Sequence, residues 1–131
     1  MIPFLLNVPY TVIGIVCALV SLPQHVAWDV PHRTLVFKAK TNWWLYFYAR
    51  HARGIAMGHV VILFPNCLPN DLAHELIHVE QHDRYPIIFT ILYMIESFKH
   101  GYRNNRFEAE AYERTQSIYI QRTKNYSLIG E

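Results

Sequence analysis

The sequence predicts an α+β fold: an apolar N-terminal helix, a small β-sheet, and two polar helices that carry the candidate chemistry. Three observations point there. Residues 1–23 hold no charge, GHVVILF at 58–64 has the β-branched run of a buried strand, and the segments 72–83 and 106–122 show helical periodicity. At 131 residues the chain is one domain on length. It divides into an apolar N-terminal segment, 1–23, and a compact body, 24–131.

With 52% apolar and only 17% charged residues, the chain is more hydrophobic than an average soluble domain, which excludes disorder. The net charge of +2 comes from scattered basic residues, without a basic run interleaved with aromatics, so nucleic acid is excluded as a partner. Cys17 and Cys67 form no C-x-x-C pair. Neither a disulfide framework nor a cysteine-based zinc site follows, and two unrelated thiols suit a reducing compartment.

The first element, IPFLLNVPYTVIGIVCALVSLP, is roughly long enough to cross a hydrocarbon core, and it predicts a membrane anchor. Asn7, Pro3 and Pro9 weaken its first half, whereas Tyr10 to Leu22 is cleaner. A cleavable signal peptide would want a basic residue ahead of the apolar core, which this chain lacks. A helix buried against the body is the other reading. Arg33, Lys38, Lys40, Arg50 and Arg53 follow with Asp29 as the sole acid, so the positive-inside rule places the body in the cytoplasm.

Short strands come next. Thr34 to Lys38 alternates, Trp43 to Tyr48 reads as a strand or an interfacial girdle, and Gly58 to Phe64 is closed by Pro65–Asn66. Asn70 or Asp71 caps a helix over 72–83 that ends before Pro86. An apolar helix over 87–99 is too short to span a bilayer and suits a core or interfacial position. A turn at Gly101 and Asn104–Asn105 leads to the last helix, and a polar tail finishes the chain.

The chemistry lies in His74-Glu75-Leu76-Ile77-His78, an H-E-x-x-H pattern. On a helix, positions i and i+4 lie about 40° apart, so both imidazoles can face one ion. Glu75, about 100° from His74, stands beside the ion without pointing at it. That is the position of a general base for a water on a zinc ion (Zn2+). Asp71, Gln81 and His82 share this polar arc, while Leu72, Leu76, Val79 and Asp83 lie opposite.

Catalytic zinc takes three protein ligands. Glu96, His100, Glu108, Glu110 and Glu113 are the downstream candidates. Around the last helix Glu108 shares its face with Ala111, Tyr112, Thr115, Ile118 and Tyr119, whereas Glu110 and Glu113 fall with Arg114, Ser117 and Gln121. The helix is expected to bury Glu108 and to solvate Glu110 and Glu113. Glu108 is therefore the expected third ligand, with His100 as a second candidate.

H-E-x-x-H followed on another helix by Glu108-Ala109-Glu110-Ala111-Tyr112 resembles the gluzincin zinc metallopeptidases. The strings GHVVILF, HELIHVEQH and YRNNRFEAEAY are also similar to a group of small, uncharacterised bacterial proteins with an apolar N-terminal segment. The resemblance implies His74, His78 and Glu108 as zinc ligands and Glu75 as general base. It places Tyr112 where gluzincins often have an aspartate that braces a ligand histidine. It also places the strand 58–64 where an edge strand pairs with an extended peptide substrate. His82, Tyr93, Tyr102 and Arg103 are candidates to stabilise the oxyanion, and Tyr102, just ahead of the glutamate helix, is the favoured one.

The expected activity is zinc-dependent hydrolysis of a peptide or protein substrate by a membrane-associated enzyme. Two alternatives stand beside it. In one, a non-catalytic membrane protein uses zinc as a structural pin, with His82 or His100 as a fourth ligand. In the other, a latent peptidase is covered by its own tail, Tyr126 to Glu131. No feature of the sequence specifies an oligomeric state.

Overall fold

The computed structural model describes residues 2–41, 43, 53–102 and 104–116. Two helices open the chain, α1 (Ile2–Leu6) and α2 (Val8–Val20), followed by β1 (Pro23–Asp29), β2 (Thr34–Ala39), β3 (Gly54–Met57) and β4 (Val60–Leu63). Helices α3 (Asp71–Arg84) and α4 (Phe89–His100) follow, and residues 106–116 form α5. The fold is α+β, as expected. The segment 44–48, the tail and Arg103 lie outside the described residues.

The sheet runs β1-β2-β4-β3. β1 pairs antiparallel with β2, β3 antiparallel with β4, and β2 parallel with β4 in the register Leu35↔Val60 to Lys38↔Leu63. The expected strand 58–64 is thus interior and not an edge. Its composition explains why. Val60, Val61 and Ile62 are all fully buried, which a strand covered on both faces requires.

One face of the sheet packs on α2. Ala18 joins Phe37, Ala39, Val60, Ile62 and Phe64 in a single apolar cluster. The pleat turns Val61 to the other face, where α3 lies against β3 and β4. α2, the sheet and α3 therefore form three layers, and β4 is the strand that both helices cover.

Among the described residues no helix is long and apolar enough to cross a membrane. The expected continuous run over 1–23 breaks at Asn7. This side chain is fully buried, and its amide donates to the His82 carbonyl (3.0 Å) and to Asp83 Oδ1 (3.2 Å). Asp83, the one acid on the apolar side of α3, also accepts His59 Nε2 at 2.7 Å. Pro9 lies in the first turn of α2, where a missing N–H costs nothing.

The β3–β4 turn presses on this break. Gly58 has φ +57°, and a Cβ there would meet Thr11 N at 2.7 Å and Asn7 O at 2.9 Å. The His59 amide donates to Thr11 Oγ1 (3.0 Å), whose own hydroxyl donates to the Asn7 carbonyl (3.1 Å). Gly58→Ala combines a left-handed backbone with a clash against main chain, so it should cost about 3 kcal/mol. Denaturant unfolding of the variant against wild type checks this, and an unchanged midpoint would refute it.

Candidate metal centre

α3 is amphipathic in the reverse sense for a surface helix. Asp71, His74, Glu75, His78, Gln81 and His82 are buried with Ile77 and Val79, while Leu72 and Leu76 are only half-buried. The polar arc faces inward because α4 and α5 cover it. His78 lies edge-on to Tyr93 (centroids 6.2 Å apart), and His82 packs on Phe89 (4.4 Å), which packs on Phe107 (5.0 Å).

Glu108 reaches into this arc from α5. Its Oε2 lies 3.0 Å from His74 Nε2 and its Oε1 3.0 Å from His78 Nε2. The two Nε2 atoms are 3.2 Å apart. One ligand atom from each of the three buried residues falls within 4.8 Å of the others, so the group could hold a metal ion. Glu108 lies on the buried face of α5, as the helix periodicity predicts. Phe107, Glu108, Ala111 and Thr115 are buried, although Tyr112 is exposed at its outer side.

A second set of residues fixes the imidazole of His78. Its Nδ1 lies 2.8 Å from Gln81 Oε1. Gln81 Nε2 donates to the Phe107 carbonyl (3.0 Å) and to Glu110 Oε1 (2.6 Å), and Glu110 accepts Arg84 Nη1 through both oxygens (3.2 and 3.1 Å). Both partners of Gln81 Nε2 are pure acceptors, which settles the direction of the amide. Gln81 Oε1 must then accept, Nδ1 of His78 must carry a hydrogen, and Nε2 is left for an ion. Glu110 is thus partly buried and bonded where a solvated residue is expected, whereas Glu113 is exposed as expected. The sequence held the signal for Gln81, three residues after His78 on the same arc, but the partner of a half-buried Glu110 depends on how α3 and α5 cross.

Electrostatics match this geometry. Burial pulls the His78 imidazole down, but its hydrogen bond to Glu108 and the charges of Glu75 and Glu108 outweigh that and push it up to about 9. Burial also acts on Glu108, yet hydrogen bonds from His74 and His78 hold it well below the usual carboxylate range. Burial raises Glu75 to about 7 against the opposing charges of His78 and His74. Gly54 on β3 makes room for Glu75, since a Cβ there would come 3.1 Å from Glu75 Cγ.

The remaining candidates spread out. The Tyr93 hydroxyl donates to Glu108 Oε1 at 2.8 Å, which makes it a direct neighbour of the group. Tyr102 is half-exposed, and its hydroxyl lies 3.2 Å from that of Tyr112, whose ring packs on His74 at 4.4 Å. Tyr112 therefore covers His74 by its ring. His82 bonds to the Ala56 backbone, and burial lowers it to about 4. Glu96 pairs with Arg106 (3.4 Å), and His100 is exposed at the end of α4. Asp71 accepts the Leu68 amide (2.7 Å), bracing the entry to α3 without capping it. Compared with known proteins, the chain matches no family model, no curated protein and no solved structure.

Since an ion needs His78 Nε2 free of its proton, affinity should rise about tenfold per pH unit between about pH 6 and 8. Chelator-competition titrations would check this, and a flat profile would refute it. Without metal the sign reverses. His78 rises from 6.5 to about 9 on folding, so its contribution to stability is full below 6.5 and is lost as pH climbs through 9. The melting temperature of chelator-treated protein should fall across that interval.

Proposed function

We propose that this chain is a membrane-associated zinc hydrolase of peptide bonds, built on a gluzincin-like pattern, with His74, His78 and Glu108 as ligands. Two imidazoles and a carboxylate suit zinc better than harder cations, and three ligands are the number a catalytic site uses. When bound, zinc would supply Lewis acidity, polarising a carbonyl and making a neighbouring water more acidic.

The observation that carries the reading is Glu75. It does not belong to the ligand group, yet it is buried beside it, and burial pushes its carboxyl up to about 7. A carboxylate there can accept a proton from water and return it to a leaving amine near neutral pH. Its neighbour is Gly54 at the start of β3. β3 ends the sheet order among the described residues, so its outer edge can pair with an extended peptide by main-chain hydrogen bonds. This moves the substrate strand from 58–64 to β3. Tyr102, whose hydroxyl lies 3.2 Å from that of Tyr112, is assigned to hold the oxyanion.

A purely structural ion has less support. His82 and His100, the expected fourth ligands, are engaged or placed elsewhere, and a structural site has no need for Glu75. Membrane association, with the body on the cytoplasmic side, belongs to the proposal. Its support is the uncharged surface of α1 and α2 and the basic flank after them.

Glu75→Gln should lower cleavage of an unstructured peptide pool at least ~100-fold while keeping one zinc per chain by mass spectrometry. Retained cleavage would sink the mechanism. Glu108→Ala should lose zinc, whereas Glu110→Ala should keep the ligands and weaken affinity about 10–100-fold. Equal zinc loss in both would refute the assignment of Glu108.

A further inference from the structure

α1 and α2 are turned inside out relative to a water-soluble helix. Every exposed residue between positions 2 and 20 is apolar. Leu5, Val8, Val12, Val16 and Leu19 form an outward stripe, with Val12 53% and Leu19 60% exposed. The polar side chains of this segment all turn inward or bond to main chain. Asn7 donates to the His82 carbonyl, Tyr10 to the Ile87 carbonyl, Thr11 to the Asn7 carbonyl and Ser21 to the Cys17 carbonyl.

α4 repeats the pattern as far as Phe98, and Lys99 and His100 are exposed at its end. Ile91, Met94, Ile95 and Phe98 face outward, Phe98 at 93% exposure. Tyr93, Glu96 and Ser97 face inward to Glu108, Arg106 and Asn105. The first half of α2 meets the segment leading into α4 where Tyr10 Oη donates to Ile87 O at 2.6 Å.

We infer that these faces of α1, α2 and α4 lie in the hydrocarbon of one leaflet, holding the chain on a bilayer without crossing it. This deepens the membrane part of the proposed function and is independent of catalysis. A protein partner would need hydrogen-bonding side chains at its rim, and the stripe on α1 and α2 offers none. Hydrocarbon requires the reverse, with every polar group satisfied internally. Length excludes a span, because the 13 residues of α2 rise only ~20 Å against a core of about 30 Å. At the C-terminal end of α2, the half-exposed Trp43 donates its indole N–H to the Val20 carbonyl (2.8 Å), a residue type that favours headgroup depth. Because α4 carries Tyr93 inward and Met94 outward, the metal group lies about one helix diameter, ~10 Å, beneath the apolar surface.

The test is flotation of the full chain, diluted from mild detergent onto preformed phosphatidylcholine vesicles in high salt. Wild type should float, since apolar burial survives screening. The pairs Val12→Glu/Val16→Glu and Ile91→Glu/Met94→Glu should each cut the floated fraction at least tenfold, with the far-ultraviolet circular dichroism of wild type. Flotation of either pair like wild type would overturn the inference, as would wild type remaining in the aqueous fraction as a defined oligomer. Topology is read separately with an impermeant maleimide on a Cys-Gly-Ser extension ahead of Met1 and on Gln24→Cys, in a background of Cys17→Ala and Cys67→Ala. Labelling of both from outside fits one leaflet. Protection of either one would overturn the in-plane arrangement while leaving membrane association intact.

Discussion

Burying the polar side of α3 obliges the rest of the chain to supply it with partners. An unpaired amide or imidazole away from water costs a few kcal/mol, and an unpaired charge costs more. Six polar residues on one helix are buried here, and each distant element answers part of the demand. α5 brings Glu108 to the histidines and Glu110 to Gln81, and α4 brings Tyr93. β3 offers the Ala56 backbone to His82, and α1–α2 offers Asn7 to its last turn. The fold around α3 is in this sense a set of replies to one helix face. Removal of any single reply leaves its correspondent stranded, so these positions are expected to be coupled energetically.

The core of the site could be read before any coordinates, because it depends on local geometry. H-E-x-x-H needs only helical spacing, and Glu108 needs only the apolar periodicity of α5 to be separated from Glu110. What escaped depends on tertiary crossing. Gln81 appeared as one more polar residue of the arc, and its role emerges only when Phe107 and Glu110 are set against it. β1 has exposed residues at nearly every position, so alternation could not mark it. β3 has only four residues, all half-buried. The interior place of β4 was latent in its unbroken apolar run, which signals a strand covered on both sides.

The N-terminal segment shows how a composition rule and a structure can part. An uncharged run of this length suggests a crossing helix, but Asn7 is anchored inside the body and breaks the run in two. One buried amide with two acceptors outweighs the helix continuity that the surrounding residues would allow. The outward stripe keeps its apolar character because its inward face has absorbed every polar side chain. Length thus argues against a span while surface chemistry still favours hydrocarbon, and the two statements concern different axes of the same helix.

The bond between Asn7 and the His82 carbonyl joins positions 75 residues apart. A ribosome adding about 5–20 residues per second completes that interval in roughly 4–15 s. Throughout it, residues 2–20 lack the strand and helix that later cover their inner face. Thr11 and Ser21 find their acceptors within the segment, whereas Asn7 and Tyr10 have no correspondents yet. The inner face of residues 2–20 therefore gains its buried partner only once the C-terminal turn of α3 has been made, so the first segment of the chain to be synthesised waits for one of the last to be sealed.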